Sequence, residues 1–146
     1  MKTRMKQRGF TLVELIIVMA IIGILAGVVL VNVGPQRSKA NRTRALADIS
    51  QMDSALEIYH ADNGIYPTTQ QGLAALIAQP STPPAPRNWQ GPYLKNRSSV
   101  PKDPWGNEYF YQSPGQKNTN SFDILSYGAD GRAGGAGNDV DVLPGE

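Results

Sequence analysis

Residues 8–33 read RGFTLVELIIVMAIIGILAGVVLVNV, and no charged residue occurs between Leu15 and Val31. A helix over residues 10–33 would be about 36 Å long at roughly 1.5 Å rise per residue, which exceeds a hydrocarbon core of about 30 Å. Residues 1–9 are basic and contain no acid. Because positive flanks stay in the cytoplasm, we expect residues 10–33 to be a transmembrane anchor with a cytoplasmic N-terminus.

The positive charge of the chain is concentrated in these first nine residues. The formal net charge is +2, but four of the 14 basic residues lie within residues 1–9, which leaves ten against 12 acidic residues. The remaining chain offers no basic surface, so no nucleic-acid partner is expected. With no cysteine and a single histidine, His60, the 146 residues cannot form disulfides or a zinc site of the cysteine and histidine type.

Glu14 separates two interpretations of the apolar segment. An ordinary secretory signal has an apolar region of about 7–15 residues that ends at a small-x-small cleavage site. This run is longer and ends in Val-Leu-Val-Asn-Val. A plain signal anchor does not explain Glu14, since an unpaired carboxylate inside an apolar membrane segment is costly. Glu14 therefore favours a specialised segment over a plain anchor.

The run Arg8-Gly9-Phe10-Thr11-Leu12-Val13-Glu14 resembles the class III signal of type IV pilins and type II secretion pseudopilins. The resemblance implies that a membrane-embedded prepilin peptidase cuts between Gly9 and Phe10, which removes residues 1–9. The same enzyme then methylates the new amine of Phe10. In this family the acid at the position of Glu14 pairs with that cationic amine, in the same or a neighbouring subunit, and so supports assembly.

Residues 34–146 are expected to form a head outside the membrane. The spacing of five apolar residues by 4, 3, 4 and 3 predicts an amphipathic helix over about residues 40–62 with one buried face; they are Ala45, Ile49, Met52, Leu56 and Tyr59. We expect Pro35 to kink or interrupt the helical chain before it. Thr68 and Gln71 have the spacing of a capping box, which predicts a short helix over about residues 69–78.

The remaining sequence predicts a loop and a small sheet. Five prolines between Pro80 and Pro92 indicate a proline-rich loop. Short β-type runs at residues 108–112 and 122–126 predict a small antiparallel sheet of two or three strands, within a sheet and C-terminal loop region of about residues 107–146. This order resembles the α+β, type IV pilin-like fold. The stretches at residues 64–73, 91–94 and 100–107 resemble major pseudopilins of type II secretion specifically.

The C-terminal tail offers oxygen ligands for a metal. Residues 134–141 read GGAGNDVD, close to the calcium-binding nonapeptide of secreted repeat toxins, but one copy cannot stack into a β-helix. A phosphate cradle would need a helix after the glycines, which the sequence lacks. The tail carries hard oxygen donors that suit Ca²⁺, on Asp130, Asn138, Asp139 and Asp141. The alternative is a flexible acidic tail that binds no metal.

The resemblance implies that this loop binds one Ca²⁺. The ligands carried over from the family are Asp130 and Asp139. Main-chain oxygens of Leu125 and Ser126 and the further acid Asp141 complete the implied set. The role of Asn138 stays open. A bound metal could then stabilise the C-terminal region of this cysteine-free head, as a disulfide does in many pilins.

The resemblance also implies a function and a location. The chain would be a structural subunit and not an enzyme: the major subunit of the periplasmic pseudopilus, which drives export of folded proteins across the outer membrane. It would be held in the bacterial inner membrane with its head in the periplasm. The implied partners are further copies in a helical filament, minor pseudopilins, the inner-membrane assembly platform, the cytoplasmic ATPase, prepilin peptidase and membrane lipid.

Two alternatives belong to other classes. A type IV pilin of a surface fibre is disfavoured by the missing cysteine pair and by the Asp-Pro-Trp-Gly stretch at residues 103–106. A membrane-anchored periplasmic hydrolase is disfavoured because His60 is the only histidine and about 110 residues leave little room for a cleft.

Overall fold

The computed structural model describes residues 10–145, with residues 28–35 described as backbone only. The predicted leader, residues 1–9 with Gly9, lies outside the described residues. The chain divides into two compact units, Met1–Arg37 and Ser38–Glu146. Within the part of the chain that the structure describes, no helix is both long enough and apolar enough to cross a membrane.

The main element is helix α1, Leu12–Asn63. It includes nearly all of both predicted helical segments. Pro35 lies inside it, so the expected interruption at Pro35 is wrong, while the alternative of a kink stays a prediction. A proline removes one backbone donor, and the helical turns on either side can continue around that loss. The C-terminal end follows the prediction: Gly64 has φ +73° and donates its N–H to the carbonyl of His60 at 2.7 Å, as a left-handed helix cap does.

The predicted apolar stripe of α1 is confirmed as the centre of the core. Each of its five residues is at most 1% exposed; they are Ala45, Ile49, Met52, Leu56 and Tyr59. The opposing side of this core comes from the rest of the second unit, including Leu76, Leu94, Ile124 and Val142. The stripe is buried because a lone amphipathic helix must cover its apolar face.

The second helix is a 3₁₀ helix, Leu73–Leu76, which is shorter than the predicted residues 69–78. The capping box is present: the Thr68 N–H donates to Gln71 Oε1 at 3.0 Å, and the Gln71 N–H donates to Thr68 Oγ1 at 3.2 Å. Helical structure does not follow directly, because Gly72 adopts φ +60° and ψ −167°, which no helix residue adopts.

Gln71 also holds the proline-rich segment. Its Nε2 donates to the carbonyls of Thr82 at 2.7 Å and Pro84 at 3.1 Å. Residues 80–92, all of which the structure describes, contain bends but no helix or strand. The amide of Gln71 therefore connects the capping box to the proline-rich segment. The prolines of that segment lack the backbone N–H groups that a regular ladder of backbone hydrogen bonds requires.

The sheet has two antiparallel strands, β1 (Phe110–Gln112) and β2 (Asp123–Leu125). Tyr111 pairs with Ile124 at its centre, and both side chains are buried while their strand neighbours are half-buried. The predicted runs were longer, but Ser126 forms only an isolated bridge, to Val142. This bridge brings the C-terminal tail back beside the end of β2.

Candidate functional site

The first candidate site is the N-terminal turn of α1, where Glu14 reaches back to Thr11. The N–H and hydroxyl of Thr11 donate to Glu14 Oε2 at 3.2 and 3.3 Å, and the Glu14 N–H donates to Thr11 Oγ1 at 3.2 Å. This is a capping box whose first residue directly follows Phe10. The sequence patterns described above did not predict it, although the Thr-x-x-Glu spacing is the signal that could have found it.

The same segment exposes a large apolar surface. Phe10 is 83% exposed, and the large apolar side chains that follow are each at least half exposed; they are Leu12, Val13, Leu15, Ile16, Ile17, Val18, Met19, Ile21, Ile22, Ile24 and Leu25. Contiguous apolar surface of this extent marks a region that binds protein or lipid.

The second candidate site is the C-terminal loop, residues 128–141, which carries the predicted metal ligands Asp130 and Asp139. Asp130 is exposed, and its Oδ1 accepts the N–H of Arg132 at 3.0 Å. Asp139 ends a 3₁₀ turn, Gly137–Asp139. The Ala129 N–H donates to the carbonyl of Asn138 at 3.0 Å, so the backbone segments next to the two aspartates lie side by side.

The other three predicted ligands already have protein partners. Leu125 pairs with Phe110 in the sheet. Ser126 is fully buried, its carbonyl accepts the Val142 N–H at 2.8 Å, and its hydroxyl donates to Asp103 Oδ2 at 2.6 Å. Both carboxylate oxygens of Asp141 accept the N–H of Gly134, at 3.1 and 3.0 Å. A carbonyl oxygen has a second lone pair, so a ligand role for the main chain stays a prediction.

The donor set of the loop fits Ca²⁺ in kind. Among the described residues, no group of three or more histidine, cysteine, aspartate or glutamate side chains could hold a metal. A cation in this loop would therefore take main-chain oxygens together with one or two carboxylates. Ca²⁺ accepts such mixed oxygen sets in flexible geometry.

Two residues that support this loop were not predicted as part of a site. Asp103 is 4% exposed, and its Oδ1 accepts the N–H groups of Trp105 at 3.1 Å and Asn107 at 2.8 Å. Asn107 in turn donates its Nδ2 to the carbonyl of Gly128 at 2.7 Å. The Asp-Pro-Trp-Gly turn was visible in the sequence, but nothing there indicated which part of the chain it would contact.

His60, in the last turn of α1, is half-buried. Its ring stacks on that of Tyr66 with a centroid separation of 4.3 Å. The stack gives this histidine a packing role.

Comparison with known proteins identifies the family. Residues 32–144 match the family model "Type II secretion system (T2SS), protein G", and residues 4–30 match the "Prokaryotic N-terminal methylation motif". Two proteins named type II secretion system core protein G are similar over nearly the whole chain. The Vibrio cholerae protein is 48% identical over 97% of this chain and 94% of its own length. The Pseudomonas aeruginosa protein is 46% identical over 95% of each.

A solved structure agrees with these matches. The crystal structure of the major pseudopilin from the type 2 secretion system of enterohaemorrhagic Escherichia coli is similar with a TM-score of 0.64 and 37% identity, over 76% of this chain and 87% of that chain. Likeness at this identity supports a shared fold with a long N-terminal helix, a second helix and a small antiparallel sheet. The resemblance inferred from the sequence is thereby confirmed, and this chain belongs to the type II secretion system protein G family.

Proposed function

We propose that this chain is the major structural subunit of the periplasmic pseudopilus of a type II secretion system. The observation that carries the proposal is the exposed apolar surface from Phe10 to Leu25 at the start of α1, in a chain of this family. Copies that bury this surface against each other would form the centre of a helical filament, since contacts that do not close generate filaments. Growth of that filament would drive folded proteins through the outer-membrane channel.

The alternative of a type IV pilin in a surface fibre is not retained. Both relatives and the solved structure described above are named as type II secretion proteins. The proposed partners follow from filament assembly: minor pseudopilins, the inner-membrane assembly platform and the cytoplasmic ATPase. The role of the chain is mechanical, so we propose no catalytic residue.

We further propose that prepilin peptidase processes the chain at Gly9 and Phe10. The match to the N-terminal methylation motif over residues 4–30 supports this step. Cleavage after Gly9 would leave the apolar segment attached as an inner-membrane anchor, with the head in the periplasm and membrane lipid around residues 10–33. Methylation would then modify the amine of Phe10.

Glu14 is proposed to neutralise that amine during assembly. Its carboxylate is held by the backbone and hydroxyl of Thr11, the residue that follows Phe10. Cleavage would create a cation beside this turn, and a paired charge is far less costly than a lone one in an apolar filament centre. The partner amine belongs to the same or a neighbouring subunit.

Ca²⁺ is the proposed ligand of the C-terminal loop. Asp130 and Asp139 would supply carboxylate oxygens, with main-chain oxygens from Leu125 and Ser126 and a further contact from Asp141. The hydrogen bond from Ala129 to Asn138 supports this proposal, because it keeps the two segments that carry the main ligands together. When bound, the ion would hold the loop closed.

The experiment for the proposed function is intact-mass analysis of the chain extracted from membranes of a cell with an active type II secretion system. We expect the loss of residues 1–9 and the addition of one methyl group. In the matched control, Gly9→Val, a bulky side chain would obstruct the extended backbone in the peptidase, and the full-length mass should remain. An unprocessed wild-type chain, or normal processing of Gly9→Val, would contradict the processing step.

A further inference from the structure

The turn at Asp103–Gly106 is built by its own residues. The Gly106 N–H donates to the Asp103 carbonyl at 3.0 Å, and Gly106 has φ +96°, a conformation open mainly to glycine. The Asp103 side chain closes the turn from within by accepting two backbone N–H groups, those of Trp105 and Asn107. Aspartate before proline, with glycine at the fourth position, is the residue pattern of such a turn.

Two side chains connect this turn to the start of the C-terminal loop. Asp103 Oδ2 accepts the hydroxyl of Ser126, and Ser126 Oγ accepts the N–H of Gly128 at 3.1 Å. Asn107 Nδ2 donates to the carbonyl of the same Gly128 at 2.7 Å. Both polar groups of Gly128 are therefore held, one through Ser126 and one by Asn107.

Gly128 is also where the two sides of the loop meet. It has φ +69°, and a Cβ there would lie 2.9 Å from the carbonyl oxygen of Asn138 and 3.0 Å from that of Val140. A Cβ at Gly131 would lie 3.4 Å from Asn107 Oδ1. The Asn107 amide thus lies beside the segment between Gly128 and Gly131, which carries Asp130.

We propose that Asn107, held in place by Asp103, is a positioning residue that sets the closed conformation of the C-terminal loop, residues 128–141. The contacts suit this role, because the buried Ser126 and the half-buried Asn107 pair both polar groups of Gly128, and paired polar groups in a network favour one conformation. The consequence for a divalent cation rests on the proposed Ca²⁺ site: a loop that is already closed binds without first having to be ordered, so its affinity is higher.

The test compares Asn107→Ala with a matched control, Asn118→Ala. Asn118 is also an asparagine whose Nδ2 bonds a backbone carbonyl, that of Phe122 at 3.3 Å, but it lies in the connection between β1 and β2. Hydrogen exchange would be measured by mass spectrometry on the full chain in detergent with a chelator present. We expect peptides over residues 128–141 to exchange about tenfold faster in Asn107→Ala and at the wild-type rate in Asn118→Ala.

Peptides over residues 45–59 of α1 report whether the head stays folded. Faster exchange confined to residues 128–141 supports the positioning role. Wild-type exchange of this loop in Asn107→Ala overturns it. Equal acceleration of the loop and of residues 45–59 also overturns it, since Asn107 would then contribute only to general stability.

A second measurement addresses the cation, using CaCl₂ titrated into the full chain in a calorimeter. We expect Kd to rise about tenfold in Asn107→Ala and to stay unchanged in Asn118→Ala, whereas an unchanged Kd in Asn107→Ala would contradict the proposed effect on affinity. If the wild-type chain binds no Ca²⁺, the proposed metal site fails, while the exchange experiment still decides whether Asn107 positions the loop.

Discussion

Asp123, at the start of β2, closes the connection between the two strands with one carboxylate. Its oxygens accept the backbone N–H groups of Gln116 at 2.7 Å, Lys117 at 2.8 Å and Asn118 at 3.1 Å. Partial burial raises the pKa of this carboxyl, but these N–H groups and the Asn118 amide outweigh burial and leave the pKa below its usual value. The ionised form is therefore favoured in the folded chain.

The first prediction is a loss of stability in acid that depends on Asp123. Because its folded pKa is lowered, its contribution is complete above the unfolded pKa of about 3.9 and is lost as the pH falls through the folded value. Asp123→Asn should lower the free energy of unfolding at pH 6 by about 1 kcal/mol, or about 4 °C in Tm. Thermal melts from pH 6 to pH 2 should show this difference shrinking.

Asp53 provides a control of opposite sign. Burial, and then the charge of Glu57, raise its pKa, so its ionised form is disfavoured in the folded chain. Asp53→Asn should therefore not lower Tm at pH 6. Equal Tm losses for both variants, independent of pH, would show that the hydrogen bonds to Asp123 carry no specific contribution.

At the scale of elements, α1 within the second unit supplies one buried face of the core, and the rest of the unit packs against it. Its stripe residues are buried, whereas Ile58, two positions after Leu56, is 54% exposed. The difference follows from the 3.6-residue period, which places Leu56 and Ile58 on different faces.

The second prediction uses that pair. Leu56→Ala should lower the free energy of unfolding by about 2–5 kcal/mol, because it removes buried methyl groups and leaves a cavity. Ile58→Ala should change it by less than about 1 kcal/mol, since most of that side chain already contacts solvent. Denaturant melts of the full chain in detergent would measure both, and similar losses would contradict the assignment of the buried face.

At the scale of the whole molecule, the chain combines a folded head with an apolar N-terminal segment. The described side chains of Phe10 to Leu25 are exposed, and the core lies within residues 45–142. Folding of the head and assembly of the filament can therefore be disturbed separately.

The third prediction separates the two roles of Glu14. Glu14→Leu should insert and be processed normally but fail to assemble, because breaking a buried charge pair costs about 3–5 kcal/mol. Glu14→Gln retains the capping box with Thr11 but lacks the charge. Filament yield after mechanical shearing should fall in both variants. Wild-type yield from Glu14→Gln would mean that capping, and not charge pairing, is what assembly requires.

The fourth prediction concerns Ca²⁺ and the stability of the head. An ion that binds only the folded chain adds about 2.7 kcal/mol at a hundredfold excess over Kd, which corresponds to roughly 10 °C in Tm. The full chain in detergent should melt higher in CaCl₂, and a chelator should reverse the gain. Magnesium should replace calcium poorly, since it demands near-octahedral geometry.

The variants Asp130→Ala and Asp139→Ala should lose this calcium response while membrane insertion and cleavage after Gly9 continue. A melting temperature that is the same in CaCl₂ and in chelator would rule out the proposed metal site.

Much of this protein could be predicted because the decisive interactions are local. The stripe of α1, its end at Asn63 and Gly64, and the capping box of Thr68 and Gln71 all join residues three or four positions apart. Helix geometry alone determines which of these residues meet. The family resemblance likewise rested on contiguous motifs, above all residues 8–14.

The tertiary structure decided what lies far apart in the sequence. Ser126, expected among the metal ligands, bonds Asp103 across 23 positions, and Asn107 reaches Gly128 across 21. The predicted second helix is only a short 3₁₀ helix, because Gly72, directly before it, has a backbone conformation that is not helical. Such contacts depend on how the turn, β2 and the tail pack around α1. The spacing of residues along the sequence does not indicate which distant carbonyl a side-chain amide will bond, because that is set by tertiary packing.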